Sequence, residues 1–382
     1  MNLLIGGDLV PTESNIDLFN NADIELLLGK ELINIWGICD IKIFNLETPL
    51  TDEENCIHKY GPNLIAPISS INGIRALSPS LVTLANNHIL DQGEEGLRAT
   101  ENVLKQNSIP FIGVGQDLTN MIKFHIIEKD GVKIGVYACA EHEFTVATEN
   151  SAGANPFDPL TTLDDICNLK QECDYLIVLY HGGKEEYRYP SPYLQKVCRR
   201  IVDKGADIVI CQHSHCIGCM EQYNESHIVY GQGNFIFDAC DNEFWNTSLL
   251  IKIEVEEKLN IEYIPIVKKE NCIRLATEEM KRNILADFNK RSDEILQKGL
   301  IEEKYNEFAK NKIQFYLRSF CGFGKWLSRI DRHLLRGRLL RKLYNNNQIL
   351  KIQNFIECEA HRELVLMGLK GENNSGTKKS YK

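Results

Sequence analysis

At 382 residues the chain is long for a single core, so one large domain with an appendage is expected. Apolar residues at 43% and charged residues at 25% exclude a chain that is disordered throughout. A formal net charge of −10 excludes a nucleic-acid binder that works through its whole surface.

The opening stretch "MNLLIGGDLVPTESN" has no basic region, and its apolar run is interrupted at Asp8. Neither a signal peptide nor a membrane anchor is expected there. Short β-rich runs then alternate with helical periodicity. In chain order they are "NLLIGG", "IKIFNLE", "LVTLAN", "KIGVYACA", "DYLIVLYHGG", "ADIVICQHSH", "HIVYGQG", "LLIKIEV" and "IEYIPIV". Helices are expected near 16–34, 92–107, 160–172 and 192–204. In "GEEGLRATENVLKQNSI", Leu97, Thr100, Val103 and Leu104 share a face, and Glu94 and Glu95 occupy the first turn, where the helix dipole favours acids. This alternation predicts an α/β domain with parallel pairings over 1–268. The runs over 227–268 have no helices between them, which predicts an antiparallel edge. Beyond them, helix formers and charges predict a helical extension over 269–370 and a disordered tail over 371–382. Thirteen scattered cysteines predict reduced thiols and a cytoplasmic setting rather than a disulfide framework.

Chemistry concentrates where the strand-like runs stop. The first ends in Gly6-Gly7-Asp8, the second in Asn45-Leu46-Glu47, the third in Asn86-Asn87-His88. "DYLIVLY" ends in His181-Gly182-Gly183, and "ADIVIC" in Gln212-His213-Ser214-His215. In an open α/β sheet, ligands bind beyond the carboxyl ends of the strands. Five such ends deliver carboxylates, amides and imidazoles to one rim, the donor set of a divalent metal site for one or two ions of Mn, Fe or Zn. Asp91 stands three residues past His88, where it either orients that imidazole or caps the following helix.

The ordered motifs Gly7-Asp8, "NLETPLT" (45–51), "NNHILDQGEEGL" (86–97), "YHGGKEEY" (180–187), "QHSH" (212–215) and "GQGNFIFD" (231–238) resemble the CapA family of capsule and poly-γ-glutamate synthesis proteins. That family is similar to the calcineurin-like metallophosphoesterases, whose fold is a β-sandwich flanked by helices. The resemblance covers roughly 1–268 and stops before the C-terminal helices. It implies that Asp8 and His215 bind a first metal and that Glu47, with Asn45 nearby, takes the bridging position. It further implies that Asn87, His181 and His213 bind a second metal and that His88 serves as general acid. Glu185 fits the family's acidic position, and with Tyr187 it is assigned to substrate binding. The implied function is a metal-dependent hydrolase of capsule, exopolysaccharide or poly-γ-glutamate synthesis, acting on an anionic polymer or a phosphorylated small molecule. The alternative is a non-catalytic subunit that binds the polymer or a synthase. One departure favours that alternative: the superfamily's Asp-x-His is Asp8-Leu9-Val10 here, so an imidazole is missing.

Two further stretches invite a role. In "CQHSHCIGC", Cys211, His213, His215, Cys216 and Cys219 suggest a structural zinc site, although small apolar cysteines packed beneath the rim explain the pattern better. The stretch 324–344, "GKWLSRIDRHLLRGRLLRKLY", carries seven Lys or Arg residues against one acid, Asp331. A basic amphipathic helix of this kind either packs on an acidic domain or makes a peripheral contact with the inner membrane face.

Overall fold

The structure, a computed structural model, describes residues 1–238, 242–256 and 258–374. The chain divides into two compact units, one over 1–302 and one from 303 onward.

In the first unit, period-two alternation assigns each strand face to its own core. Along Val132–Ala140, Ile134, Val136 and Ala138 enter one core while Tyr137 and Cys139 enter another. Tyr175–His181 and Ile208–Gln212 repeat the division, with Ile177, Leu179, Ile208 and Ile210 on the first side and Val178, Tyr180, Val209 and Cys211 on the second. The first side packs on Leu3, Ile5, Ile43, Val82 and Ile251 of the other sheet, so two sheets enclose one apolar layer. The second side is covered by helices Thr162–Lys170 and Pro192–Asp203 through Ile166, Leu169, Val197, Cys198 and Ile201. The result is the α/β architecture that the alternation predicts, arranged as the helix-flanked sandwich that the resemblance implies.

The first sheet orders its strands as Cys272–Leu275, Leu259–Lys269, Thr247–Val255, Asn2–Val10, Ile41–Leu46, Leu81–Thr83 and Phe111–Ile112, with Ile236–Phe237 beside the end of Asn2–Val10. The last four in that order are mutually parallel, and the first three form the antiparallel edge. The second sheet runs Met220–Tyr223, Ser226–Tyr230, Ile208–Gln212, Tyr175–His181, Val132–Ala140 and Phe124–Lys129. Its four inner strands are parallel.

Within the first unit three expectations change. Ser226–Tyr230 belongs to this second sheet, parallel to Ile208–Gln212, and not to an antiparallel edge. The reason is a hairpin: Asn224 and Glu225 both take positive φ, 47° and 67°, which reverses the chain after Met220–Tyr223. The helix expected over 16–34 is three short helices, Ile16–Asn20, Ile24–Leu28 and Lys30–Ile38. Ala22 and Gly29 interrupt it with φ of 55° and 76°, and Asp23 caps the middle piece by accepting from Leu26 N at 3.0 Å. Past residue 268, Cys272–Leu275 extends the sheet, and Glu278–Glu294 packs Phe288 beneath Ile217 and Leu249. Both fall within the first unit.

From residue 303 the chain is helical. The basic stretch 324–344 forms two helices, Lys325–His333 and Arg338–Leu343, and not one. Arg336 and Gly337 break it at φ of 50° and 76°, and buried Asp331 accepts from Leu339 N at 2.9 Å across the break. Helix Glu359–Asn374 runs into the stretch expected as a tail, and residues 375–382 of that expectation lie outside the described residues. Among the described residues no helix is long and apolar enough to cross a membrane.

Candidate metal centre

The parallel strands of the two sheets meet at their carboxyl ends. Asp8 reaches this rim because the pairing of Asn2–Val10 with Ile41–Leu46 shifts register between Ile5 and Asp8, a bulge that re-aims the chain. Gly7 lies in that bulge. A Cβ there would stand 2.0 Å from the Gly233 carbonyl oxygen, so only glycine fits. Asp8 is 1% exposed; Oδ1 accepts from Asn45 Nδ2 at 2.8 Å, and Oδ2 accepts from His213 N at 3.2 Å. Asn45 Oδ1 in turn accepts from Asn86 Nδ2 at 3.0 Å and Thr83 Oγ1 at 3.3 Å, which locks the amide.

His181 lies between the two sheets. Its Nε2 is 3.0 Å from Asn87 Oδ1 and 3.1 Å from Glu47 Oε1, and its Nδ1 is 3.4 Å from Asn45 Nδ2. His213 and His215 follow Ile208–Gln212 with φ of 77° and 53°. Such a backbone costs roughly 1–3 kcal/mol per non-glycine residue, and a functional site is where it tends to be kept. His215 Nδ1 bonds Asn234 Oδ1 at 2.8 Å, and its ring stacks on Trp245 at 4.4 Å. Asp8, Glu47, Asn45, Asn87, His181, His213 and His215 are thus brought together. Glu185 lies near His213 and His215, with its side chain half exposed and 3.7 Å from Lys184. Tyr187 packs its ring on Tyr189, in a segment tied to the rim where Glu186 N donates to Ser214 O.

His88 and Asp91 form a second cluster beside the first. His88 Nδ1 stands 2.6 Å from Asp91 Oδ2, which also accepts from Leu64 N at 2.6 Å. The N-cap of the following helix, Gly93–Gln106, is Gln92. Of the two roles open for Asp91, its side chain serves the imidazole. Behind it, buried Lys59 pairs with Asp91 Oδ1 and stands 3.4 Å from the Asn87 carbonyl.

The electrostatics are those of a site built around positive charge. Burial raises the Asp8 pKa, and the charge of Glu47 adds to it. Burial would also raise Glu47, but His215 and His181 outweigh it and hold Glu47 at about 2. Burial disfavours a proton on His181, yet Glu47, Asp8 and Glu141 prevail and raise its pKa. His213 is held well below the usual imidazole range by burial and by His181 and His215. Glu47 Oε2 and His213 Nδ1 are buried without a hydrogen-bond partner, and Glu47 Oε1 has only the His181 imidazole beside it. Leaving such groups unsatisfied is costly, and a cation satisfies them. The donors of Asp8, Glu47 and His215 lie within 4.8 Å of one another, as do those of Glu47, His181 and His213. Carboxylate and imidazole of this kind fit Mn, Fe or Zn. The cysteines take no part in such a group among the described residues. Cys211 and Cys219 lie in the helix-side core, and burial pushes the Cys219 thiol far up.

Four contributors escape a reading of the motifs. Glu141 and Glu143 follow Val132–Ala140, a sixth strand end on the same rim, and their Oε1 atoms are 3.6 and 3.7 Å from His213 Nε2. Burial lifts the Glu141 carboxyl to about 6. The signal was present in "YACAEHE". Asn234 reads as turn chemistry until His215 is seen against it, and Lys59 lies in an irregular loop with no pattern to announce it. Asp238 lies off the rim, paired with Lys268 at 2.6 Å.

This rim can be compared with known proteins. The PGA biosynthesis protein CapA of Bacillus subtilis (strain 168) is 28% identical over 210 residues, 53% of this chain and 55% of that protein. The capsule biosynthesis protein CapA of Bacillus anthracis is 27% identical over 203 residues, 51% of this chain and 49% of its own. The chain spans about half the length of the curated relatives it matches. The solved structure of a novel phosphatase from Mycoplasma pneumoniae is 16% identical, with a TM-score of 0.44 over 71% of this chain and 94% of that one, too distant to bear on fold or activity. The model of the bacterial capsule synthesis protein PGA_cap family matches residues 2–239, more than half of the chain and every rim residue described above, and the chain belongs to that family.

Proposed function

We propose that the chain is a metal-dependent hydrolase of the phosphoesterase type, serving capsule, exopolysaccharide or poly-γ-glutamate synthesis. The observation that carries this is Glu47: a fully buried carboxylate whose Oε2 has no hydrogen-bond partner and whose Oε1 faces only the His181 imidazole, 3.1 Å away, set between His181 and the Asp8 and His215 side chains. The names of the relatives, PGA and capsule biosynthesis proteins, support the biological setting. Asp8, Glu47 and His215 would hold one ion, and Glu47, Asn87, His181 and His213 a second. When bound, such ions supply Lewis-acid polarisation of a phosphoryl oxygen and a readily ionised water.

The chain's own groups would do the rest. Asp91 holds the Nδ1 edge of His88 at 2.6 Å, so Nε2 is left to pass a proton to the leaving oxygen. Asn45, fixed by Asn86 and Thr83, keeps Asp8 in place. Glu185 and Tyr187 would line the substrate side. A screen of phosphomonoesters and phosphodiesters with added manganese tests this. Turnover is expected in wild-type protein and much reduced in His88→Ala; no turnover on any ester by the wild type removes the catalytic claim.

A second reading has its own observation. Val10, where the related pattern has an imidazole, is 2% exposed beside Phe237, and the first position therefore has one ligand fewer. A non-catalytic subunit binding an anionic polymer or a synthase through the same rim would tolerate that loss.

We also propose a peripheral contact of the basic segment with anionic lipid at the inner membrane face. Trp326 is 79% and Leu334 76% exposed among the seven cationic side chains, so apolar and basic groups are presented together.

A further inference from the structure

We propose that Glu141 and Glu143 are themselves cation ligands, joining His213 to hold an ion on the outer side of the centre, an assignment that rests on the metal-dependent reading above. Each carboxylate has one oxygen tied and one turned inward. Glu141 Oε2 accepts from Gly183 N at 3.2 Å, and Glu143 Oε2 accepts from Asn87 Nδ2 at 3.3 Å. The remaining oxygens, both Oε1, face the same atom, His213 Nε2, at 3.6 and 3.7 Å. Those separations are too long for hydrogen bonds. They match two atoms that share one ion, since ligands ~2.1 Å from a metal stand about 3.0–3.6 Å apart for angles between a right angle and roughly 120°.

His213 gives the independent sign that something belongs there. It is 3% exposed, and its Nε2 meets the two carboxylates only beyond hydrogen-bond distance. Its Nδ1, without a partner, is left for the inner ion, so that the ring would bridge the two ions as an imidazolate whose N–H proton is released on binding. A buried imidazole left so is costly unless a ligand supplies the missing interaction. Two carboxylates and one imidazole form a harder donor set than the imidazole-rich inner group of Glu47, His181 and His213, and such a set suits Mn²⁺ or Mg²⁺ better than Zn²⁺. Asn87 links the two positions, with its amide nitrogen on Glu143 and its amide oxygen 3.0 Å from His181 Nε2. The outer ion would sit toward solvent, because the Glu141 and Glu143 side chains are 38% and 36% exposed while Glu47 is sealed. This position is the one an incoming anionic substrate meets first.

The test is a titration of metal-stripped full-length protein with MnCl₂, followed by the electron paramagnetic resonance of free Mn²⁺. Wild type is compared with E141Q, E143Q and the double variant. The double variant is expected to bind its weakest ion at least tenfold less tightly while the tighter ions are unaffected, and each single variant should weaken the same ion. Melts of the stripped proteins accompany the titration, and the double variant should not melt below wild type, because it removes two neighbouring negative charges. An unchanged titration of the double variant, beside a wild type that binds manganese, overturns this assignment alone. A wild type that binds no manganese overturns this assignment too, and one that in parallel titrations binds no Fe, Zn or Mg either overturns the metal-dependent reading as well.

Discussion

Lys59 offers a sharp test of how the acid–base cluster is held. Its ammonium is 4% exposed and faces Asp91, which is fully buried; Asp91 Oδ1 makes no hydrogen bond, so this ion pair is what compensates it. Lys59→Met keeps the aliphatic stem and deletes the charge. Asp91 then keeps only the Leu64 amide and the His88 imidazole, both on Oδ2. Removing one partner of a buried pair costs about 3–5 kcal/mol, since the other charge stays desolvated. Asp91→Asn should cost a similar amount, because it leaves the buried ammonium only the Asn87 carbonyl at 3.4 Å and His88 Nδ1 at 3.3 Å. The double variant should cost much less than the sum, with a coupling of at least about 2 kcal/mol. Urea unfolding of the four proteins measures the cycle. A Lys59→Met cost below about 1 kcal/mol, the range of an exposed pair, or a coupling near zero, would refute the reasoning.

Other consequences follow from the same geometry. His213→Ala should lose metal and turnover together, whereas His88→Ala should keep the metal and lose roughly 10²–10⁴ in turnover, most for poor leaving groups; equal metal loss in both would make His88 a ligand. In metal-stripped protein, the lowered His213 pKa means that the unfolded chain takes up the proton first as pH falls. Stability from this group is therefore complete above about 6.5 and is lost toward lower pH at up to ~1.4 kcal/mol per unit. His213→Gln should flatten the urea-derived stability between about pH 6.5 and 5, and parallel wild-type and variant curves would contradict the assignment. The full chain should sediment with anionic vesicles at low salt and release as salt rises, and Gln at Arg336, Arg338 and Arg341 should abolish binding without lowering the melt. Wild type that ignores the vesicles, or a variant that melts lower, would instead favour a helix packed within the protein.

The strands and the rim were legible because burial writes them directly. Runs such as "DYLIVLYHGG" are apolar on both faces, and polar residues at the end of such a run have nowhere to be but its mouth. Asp8, Glu47, Asn87, His88, His181, His213 and His215 all followed from that rule. What was lost depends on backbone geometry or on distant packing. The breaks at Ala22 and at Arg336 need left-handed residues that propensity does not announce. The parallel placement of Ser226–Tyr230 turns on the Asn224-Glu225 reversal. Lys59 reaches Asp91 from an irregular loop that is pinned by Asn55 N on Gln92 Oε1 at 2.7 Å and Ile57 N on the Asp91 carbonyl at 3.1 Å, contacts that no local pattern announces. Glu141 and Glu143 need no such geometry, since they follow the end of the strand-like run "KIGVYACA" and fall under the same rule.

Everything proposed for the rim depends on its holding a cation, and that can be measured without a substrate. Protein purified without chelator should carry Mn, Fe or Zn by elemental analysis. Stripping it should lower the melting temperature, and adding Mn²⁺ back should restore it, because Asp8, Glu47, His181, His213 and His215 converge only in the folded chain. At a concentration 100 times the dissociation constant, restoration amounts to about 2.7 kcal/mol. Protein that holds no metal, and whose melt is unmoved by Mn, Fe, Zn and Mg alike, would contradict it.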